Sequence, residues 1–213
     1  GAPTPPRRRA LLRVARRLVL IVGFLVGFLL LGFATGVAHA DSGQVASSSK
    51  GGGSHDGGSG GSAVKKVTSA AEKAVKEVLE KSPDNALAKY IECTIDVGRG
   101  NFQAASQLFL EVEDKLRDYP PSLLLGGVIR YQTGQFAQAE VSLSRYAAIM
   151  PANVEVRRLL ALTQLRQGNA RSAAETLQQL LDTDPNDAAA LQLLASAYVR
   201  QEKYSEAADA FER

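Results

Sequence analysis

From Val64 onward, apolar residues recur at three- and four-residue spacing and are interrupted at intervals by Gly or Pro, which is the pattern of short amphipathic helices. The stretch 153–187 shows the design. Asn153 can cap a helix whose Val156, Leu159, Leu160, Leu162 and Leu165 form one apolar stripe. Gly168 then supplies a residue that takes left-handed backbone without steric cost, so it predicts a tight turn. A second helix follows with Ala173, Ala174, Leu177, Leu180 and Leu181, and Asp184-Pro185-Asn186-Asp187 ends it and caps the next.

This pair of helices repeats. Ala71, Ala105, Ala139, Ala173 and Ala207 lie 34 residues apart, as do Gly100, Gly134 and Gly168, with Glu202 in the next slot. Phe102, Phe136, Ala170 and Tyr204 keep the same register, and so do Val75, Phe109, Leu143, Leu177 and Phe211. Small residues at Cys93, Gly127, Ala161 and Ala195 on the first helices, and at the periodic alanines on the second, let paired backbones approach closely. The register predicts an all-α fold, an α-solenoid of antiparallel helix pairs with repeats at 86–119, 120–153 and 154–187 and a partial repeat at 188–213. A lone helix over 64–81 precedes them, carrying Val67, Ala71, Val75, Val78 and Leu79, with Glu72/Lys76 and Glu77/Lys81 on its other side. Pro120 and Pro121 come three residues late, which predicts that the second helix through Phe109 and Val112 runs one turn longer and that a proline opens the next helix. Apolar Ala210 and Phe211 near the end read as the interior of a longer array.

Charge changes the reading of the N-terminal part. The chain has 25 basic and 22 acidic residues, but Arg7, Arg8, Arg9, Arg13, Arg16 and Arg17 all fall within residues 1–40, which contain no acid. Removing those six leaves 19 basic residues against 22 acidic, a net of −3 downstream, so the basic balance belongs to the leader and gives no support to nucleic-acid binding. Behind the arginines, Leu18–Ala38 runs 21 residues without a charge and ends at Ala38-His39-Ala40, a small-x-small pattern. Residues 1–40 are therefore expected to be a secretory signal peptide or an uncleaved membrane anchor, with the N-terminus in the cytoplasm and the remainder exported to the periplasm or envelope. Residues 41–62, almost all Gly, Ser and polar, predict a disordered linker.

Catalytic chemistry finds few candidates. Both histidines, His39 and His55, lie in the leader and linker, and a single cysteine, Cys93, can close no intramolecular disulfide. Cys93 sits at a small-residue slot and reads as a core thiol. No phosphate-binding glycine loop or paired-histidine motif is present, so no catalytic, cofactor or metal residues are assigned and the chain is expected not to be an enzyme.

The 34-residue helix-turn-helix, with small residues at its eighth and twentieth positions and Pro near the thirty-second, resembles the tetratricopeptide repeat over Val64–Arg213. The family's first-helix aromatic is replaced by Lys89, Leu123, Arg157 and Leu191. The resemblance implies a concave groove for protein or peptide partners, lined here by Tyr90 and Thr94, then Leu124, Val128 and Tyr131, then Arg158, Leu162 and Arg166, then Gln192, Ser196 and Arg200. The Lys and Asn with which some family members clamp a C-terminal carboxylate are absent from these slots. Pro120-Pro121, Leu125-Gly126-Gly127, Leu159-Leu160-Ala161 and Leu165-Arg166-Gln167-Gly168 are similar to exported tetratricopeptide proteins that accompany exosortase (PEP-CTERM) sorting in exopolysaccharide-producing bacteria. That likeness implies a non-catalytic envelope scaffold in exopolysaccharide assembly or PEP-CTERM protein sorting. Two alternatives stay open: a membrane-anchored adaptor in cytochrome or outer-membrane protein maturation, and the targeting arm of an enzyme whose catalytic domain lies beyond residue 213.

Overall fold

The structure, a computed structural model, describes residues 58–213, so the leader and residues 41–57 of the expected linker lie outside the described part. Nine α-helices and no strands occur among the described residues. None of these helices is long and apolar enough to cross a membrane. The chain divides into two compact units at the turn after Asn101.

The first unit holds α1 (Gly58–Lys81) and α2 (Ala86–Gly98), packed against each other. Helix α1 begins inside the stretch read from sequence as linker, so residues 58–62 are helical. Their Gly and Ser have little helical propensity of their own, and these turns extend a helix whose favourable composition starts at Ala63. Asn85 caps α2, its side chain accepting from the Ala88 backbone N–H at 3.0 Å, and Arg99 pairs with Glu72 of α1. Cys93 is fully buried, as a core thiol should be.

The second unit runs through α3 (Phe102–Leu110), α4 (Pro120–Gln132), α5 (Phe136–Ile149), α6 (Val154–Arg166), α7 (Ala170–Leu181), α8 (Ala188–Arg200) and α9 (Tyr204–Glu212). Each helix packs on the one before and the one after it, and α6 also lies against α8. Short connections make these neighbours antiparallel, giving a stack of hairpins. The small slots sit where the backbones meet: Ala105, Ala139, Ala161, Ala173 and Ala195 are all fully buried. Gly127 is a tight contact of this kind, since a Cβ there would stand 2.7 Å from Leu143 Cδ2. Around α6, α7 and α8 a continuous apolar seam joins Leu165, Leu177, Leu180, Leu191 and Leu194, so each hairpin completes its core on its neighbour.

The turn inside each helix pair is the same motif throughout. Gly134 and Gly168 have φ of +78° and +85°, and the two N–H groups that follow each helix return to its last carbonyls: Gln135 N to Arg130 O at 2.8 Å, Asn169 N to Gln164 O at 2.8 Å. Glu202 occupies the same slot at φ 61° with the same bonding, Lys203 N to Tyr198 O at 3.0 Å. A side chain with a Cβ is strained there, by roughly 1–2 kcal/mol against the 0.5–1 kcal/mol that glycine loses in chain entropy. Glu202→Gly is therefore expected to raise stability by about 0.5–1 kcal/mol, read as a higher urea midpoint with an unchanged slope.

One expectation is overturned between α3 and α4. Helix α3 does not run a turn longer but stops at Leu110, and a 3-10 turn at Asp114–Leu116 follows. Val112 and Glu113 N–H both return to Phe109 O, at 3.0 and 2.9 Å, which closes the helix while Val112 is buried. Glu113 is held by Arg130 of α4, whose Nη2 donates to both carboxylate oxygens at 2.6 and 2.5 Å. Arg130 also donates to Ser142 Oγ at 3.0 Å and lies over the Phe109 ring at 5.6 Å, tying α3, α4 and α5 through one guanidinium. Pro120 does open α4, at the position where its missing N–H costs nothing.

Candidate functional site

The expected groove residues fall into two groups. Tyr90 and Thr94 on α2 are 0% and 2% exposed, and Leu124 and Val128 on α4 are 2% and 1% exposed. These four are core side chains and are corrected as such. The physical reason is their composition: an aromatic, a leucine and a valine each stabilise by about 1.5–3 kcal/mol when buried, whatever face of the helix their slot falls on. Thr94 satisfies its hydroxyl locally, donating to Tyr90 O at 2.9 Å.

The remaining residues make an open face within the second unit. Tyr131 ends α4 half-buried, packed edge-on against Phe136 with ring centroids 5.6 Å apart. On α6, Arg158, Leu162 and Arg166 are spaced four apart and so share one stripe, and on α8 the matching slots carry Gln192, Ser196 and Arg200. Leu162 and Ser196 are half-buried, while Arg166, Gln192 and Arg200 are exposed. Val199, beside Arg200, is also exposed. The polar identity of every one of these slots but Leu162 keeps them at the surface where Leu124 and Val128 have gone inside.

Arg158 is tied down. Its Nη2 lies 3.4 Å from Glu155 Oε1, and its Nε is 3.5 Å from Asp187 Oδ2, a carboxylate only 7% exposed. Asp187 in turn caps α8, accepting from Ala190 N at 3.0 Å, so Arg158 bridges two consecutive first helices and its charge is compensated. The partnership was not legible in the sequence: the capping role of Asp187 was, but its second oxygen facing Arg158 depends on how α6 and α8 meet. Arg200 behaves differently. Its Nη1 donates to Leu165 O at 2.9 Å, the carbonyl next to Arg166, and Ser196 donates to Gln192 O at 3.0 Å.

A separate cleft of about 270 Å³ lies among α7, α8 and α9, with Leu181, Leu194 and Ala210 as its apolar lining and Tyr198, Glu206 and Asp209 beside them. Gln178 donates to the Tyr198 hydroxyl at 2.7 Å across it. None of the sequence-predicted groove residues lines this cleft. Among the described residues no group of three or more His, Cys, Asp and Glu is placed to hold a metal ion. The face of α6 and α8 offers guanidinium, amide, hydroxyl and aliphatic groups, which is the chemistry of recognition.

Comparison with known proteins agrees with this geometry. The tetratricopeptide repeat family model matches residues 130–197 and 164–213, so the segment 130–213 consists of tetratricopeptide repeats. A curated relative, the protein CTR9 homolog of Arabidopsis thaliana, is 30% identical over 132 residues, which is 60% of this chain but only 12% of that protein's length. Among solved structures, MamA 41-end from Desulfovibrio magneticus RS-1 is similar at 21% identity with a TM-score of 0.63, covering 70% of this chain and 84% of that one. YrrB, described as a tetratricopeptide protein with an unusual peptide-binding site, is similar at 18% identity with a TM-score of 0.59, covering 72% and 77%. At these identities the likeness to MamA and YrrB is one of fold.

Proposed function

We propose, starting from the tetratricopeptide repeats of residues 130–213, that this chain is a non-catalytic scaffold holding a segment of a partner protein on the face formed by α6 and α8. The observation that carries this reading is that the matching slots of these two consecutive first helices stay open, polar but for Leu162 and with the aliphatic Val199 beside them, while the corresponding Leu124 and Val128 of α4 are buried. An exposed strip of alternating polar and aliphatic groups suits a peptide better than a small ligand.

We place the scaffold in the bacterial envelope. The arginine-rich start and the 21-residue uncharged run support export. The resemblance of 119–168 to exosortase-associated proteins supports work in exopolysaccharide assembly or export, or in PEP-CTERM protein sorting. Both parts are tested together by introducing a photocrosslinking residue at Leu162 or Ser196 in the source organism, with a control at Glu175 on the exposed side of α7. The expected outcome is discrete protein adducts in the envelope fraction from the first two positions and none from the control. Adducts confined to the cytoplasmic fraction would refute the envelope assignment, and identical adducts from all three positions would refute the site.

A further inference from the structure

Arg166 and Arg200 close the last turns of α6 and α8 in the same repeat slot, 34 residues apart. The two helices lie side by side, and Arg200 reaches across to the carbonyl of Leu165, which brings its guanidinium to the end of α6 that carries Arg166. Neither arginine forms an ion pair among the described residues. Glu155 and Asp187 face Arg158 at the other end of the two helices, Glu140 accepts from Gln164 and Gln167 at 3.0 and 2.6 Å, and the exposed Glu202, two residues beyond Arg200, is not paired with either arginine. The negative ends of the two helix dipoles favour a cation at each terminus, which accounts for arginines standing there without acid partners. The face is therefore polarised along its length. Around Arg158 the charge is compensated, whereas at Arg166 and Arg200 two exposed, undischarged guanidiniums adjoin the aliphatic Val199.

We propose that this end of the face selects its partner by Asp or Glu side chains, binding a segment in which acidic residues accompany an aliphatic one. Carboxylates placed against Arg166 and Arg200 neutralise two cations that have no acid partner and gain charge-assisted hydrogen bonds. The aliphatic residue of the segment rests on Val199 and Leu162. This rests on the reading of the α6 and α8 face as a partner surface and adds to it the chemistry of the partner.

Fluorescence anisotropy on the full chain tests it, with labelled, C-terminally amidated ten-residue probes that alternate Leu with Glu, Gln or Lys. The Glu probe is expected to bind roughly three- to tenfold tighter than the Gln probe, the increment of two exposed ion pairs, and to lose that advantage as salt is raised. Arg166→Glu with Arg200→Glu is expected to reverse the order in favour of the Lys probe, with the helical circular dichroism unchanged. Equal binding of the Glu and Gln probes overturns the acidic preference and leaves the partner surface standing. Binding that requires a free C-terminal carboxylate on the Glu probe overturns the assignment to side chains. Failure of all three probes to bind overturns both readings.

Discussion

Leu177→Ala is expected to lower the unfolding free energy by about 2–5 kcal/mol. Leu177 is fully buried on α7, in the seam that includes Ala161 and Leu165 of α6 on one side and Leu191, Leu194 and Ala195 of α8 on the other. Removing its terminal carbons leaves a cavity walled by both neighbouring helices, so contacts within one hairpin and between two hairpins are lost together. The surrounding alanines cannot collapse into the space, because their methyl groups are already at the backbone contact. Urea denaturation followed by helical circular dichroism gives the measurement. Phe211, in the same register three periods after Phe109 and one period after Leu177, is the internal comparison. It is 63% exposed, and Phe211→Ala is expected to cost about 0.5 kcal/mol or less. Equal losses at the two positions would contradict the stacked-hairpin account, since register and not burial would then be setting stability.

Gly127→Val is expected to be nearly as damaging, at about 2–3 kcal/mol. Glycine inside a helix is ordinarily a weakness, and a residue with a side chain would gain up to about 1 kcal/mol in propensity, less for a β-branched one. That gain is overruled by contact. A Cβ at this position stands 2.7 Å from Leu143 Cδ2 and 2.8 Å from Leu143 Cγ, and the Cγ cannot swing clear as a chain terminus could. The valine methyls add to this, so α4 and α5 must separate and the buried row Leu123–Ile129 loses its close packing. Leu143→Ala combined with Gly127→Val is expected to be less destabilised than the sum of the single variants, a coupling of about 0.5–3 kcal/mol for side chains in direct contact. Strict additivity in the same denaturation series would sink the explanation.

Most of the architecture was legible because it is written by position. The periodic alanines and glycines specify where backbones meet and where chains turn, and these are local requirements that one residue type satisfies almost alone. Asn153 and Asp187 likewise announce helix starts, and each side chain accepts from the backbone N–H three residues on, at 3.1 and 3.0 Å. What was not legible depends on partners distant in the chain. The connection after α3 bends because Glu113 meets Arg130 seventeen residues later, an attraction that no periodicity reveals, so the late prolines pointed to a longer helix instead. The candidate site was half legible for a similar reason. Slot numbers identify the face of a helix, but openness is decided by what each slot holds and what lies over it, and Tyr90, Leu124 and Val128 had apolar identities that favoured the interior.

Cys93 carries a practical consequence. It is the single thiol of the chain and is sealed from solvent on α2, in the smaller of the two compact units. A thiol-specific dye can reach it only when that helix momentarily lifts away, so the labelling rate under native conditions becomes a stopwatch for breathing of the N-terminal unit. Read beside the ellipticity of the whole molecule, it separates the fluctuations of one unit from the melting of the other with no engineered probe.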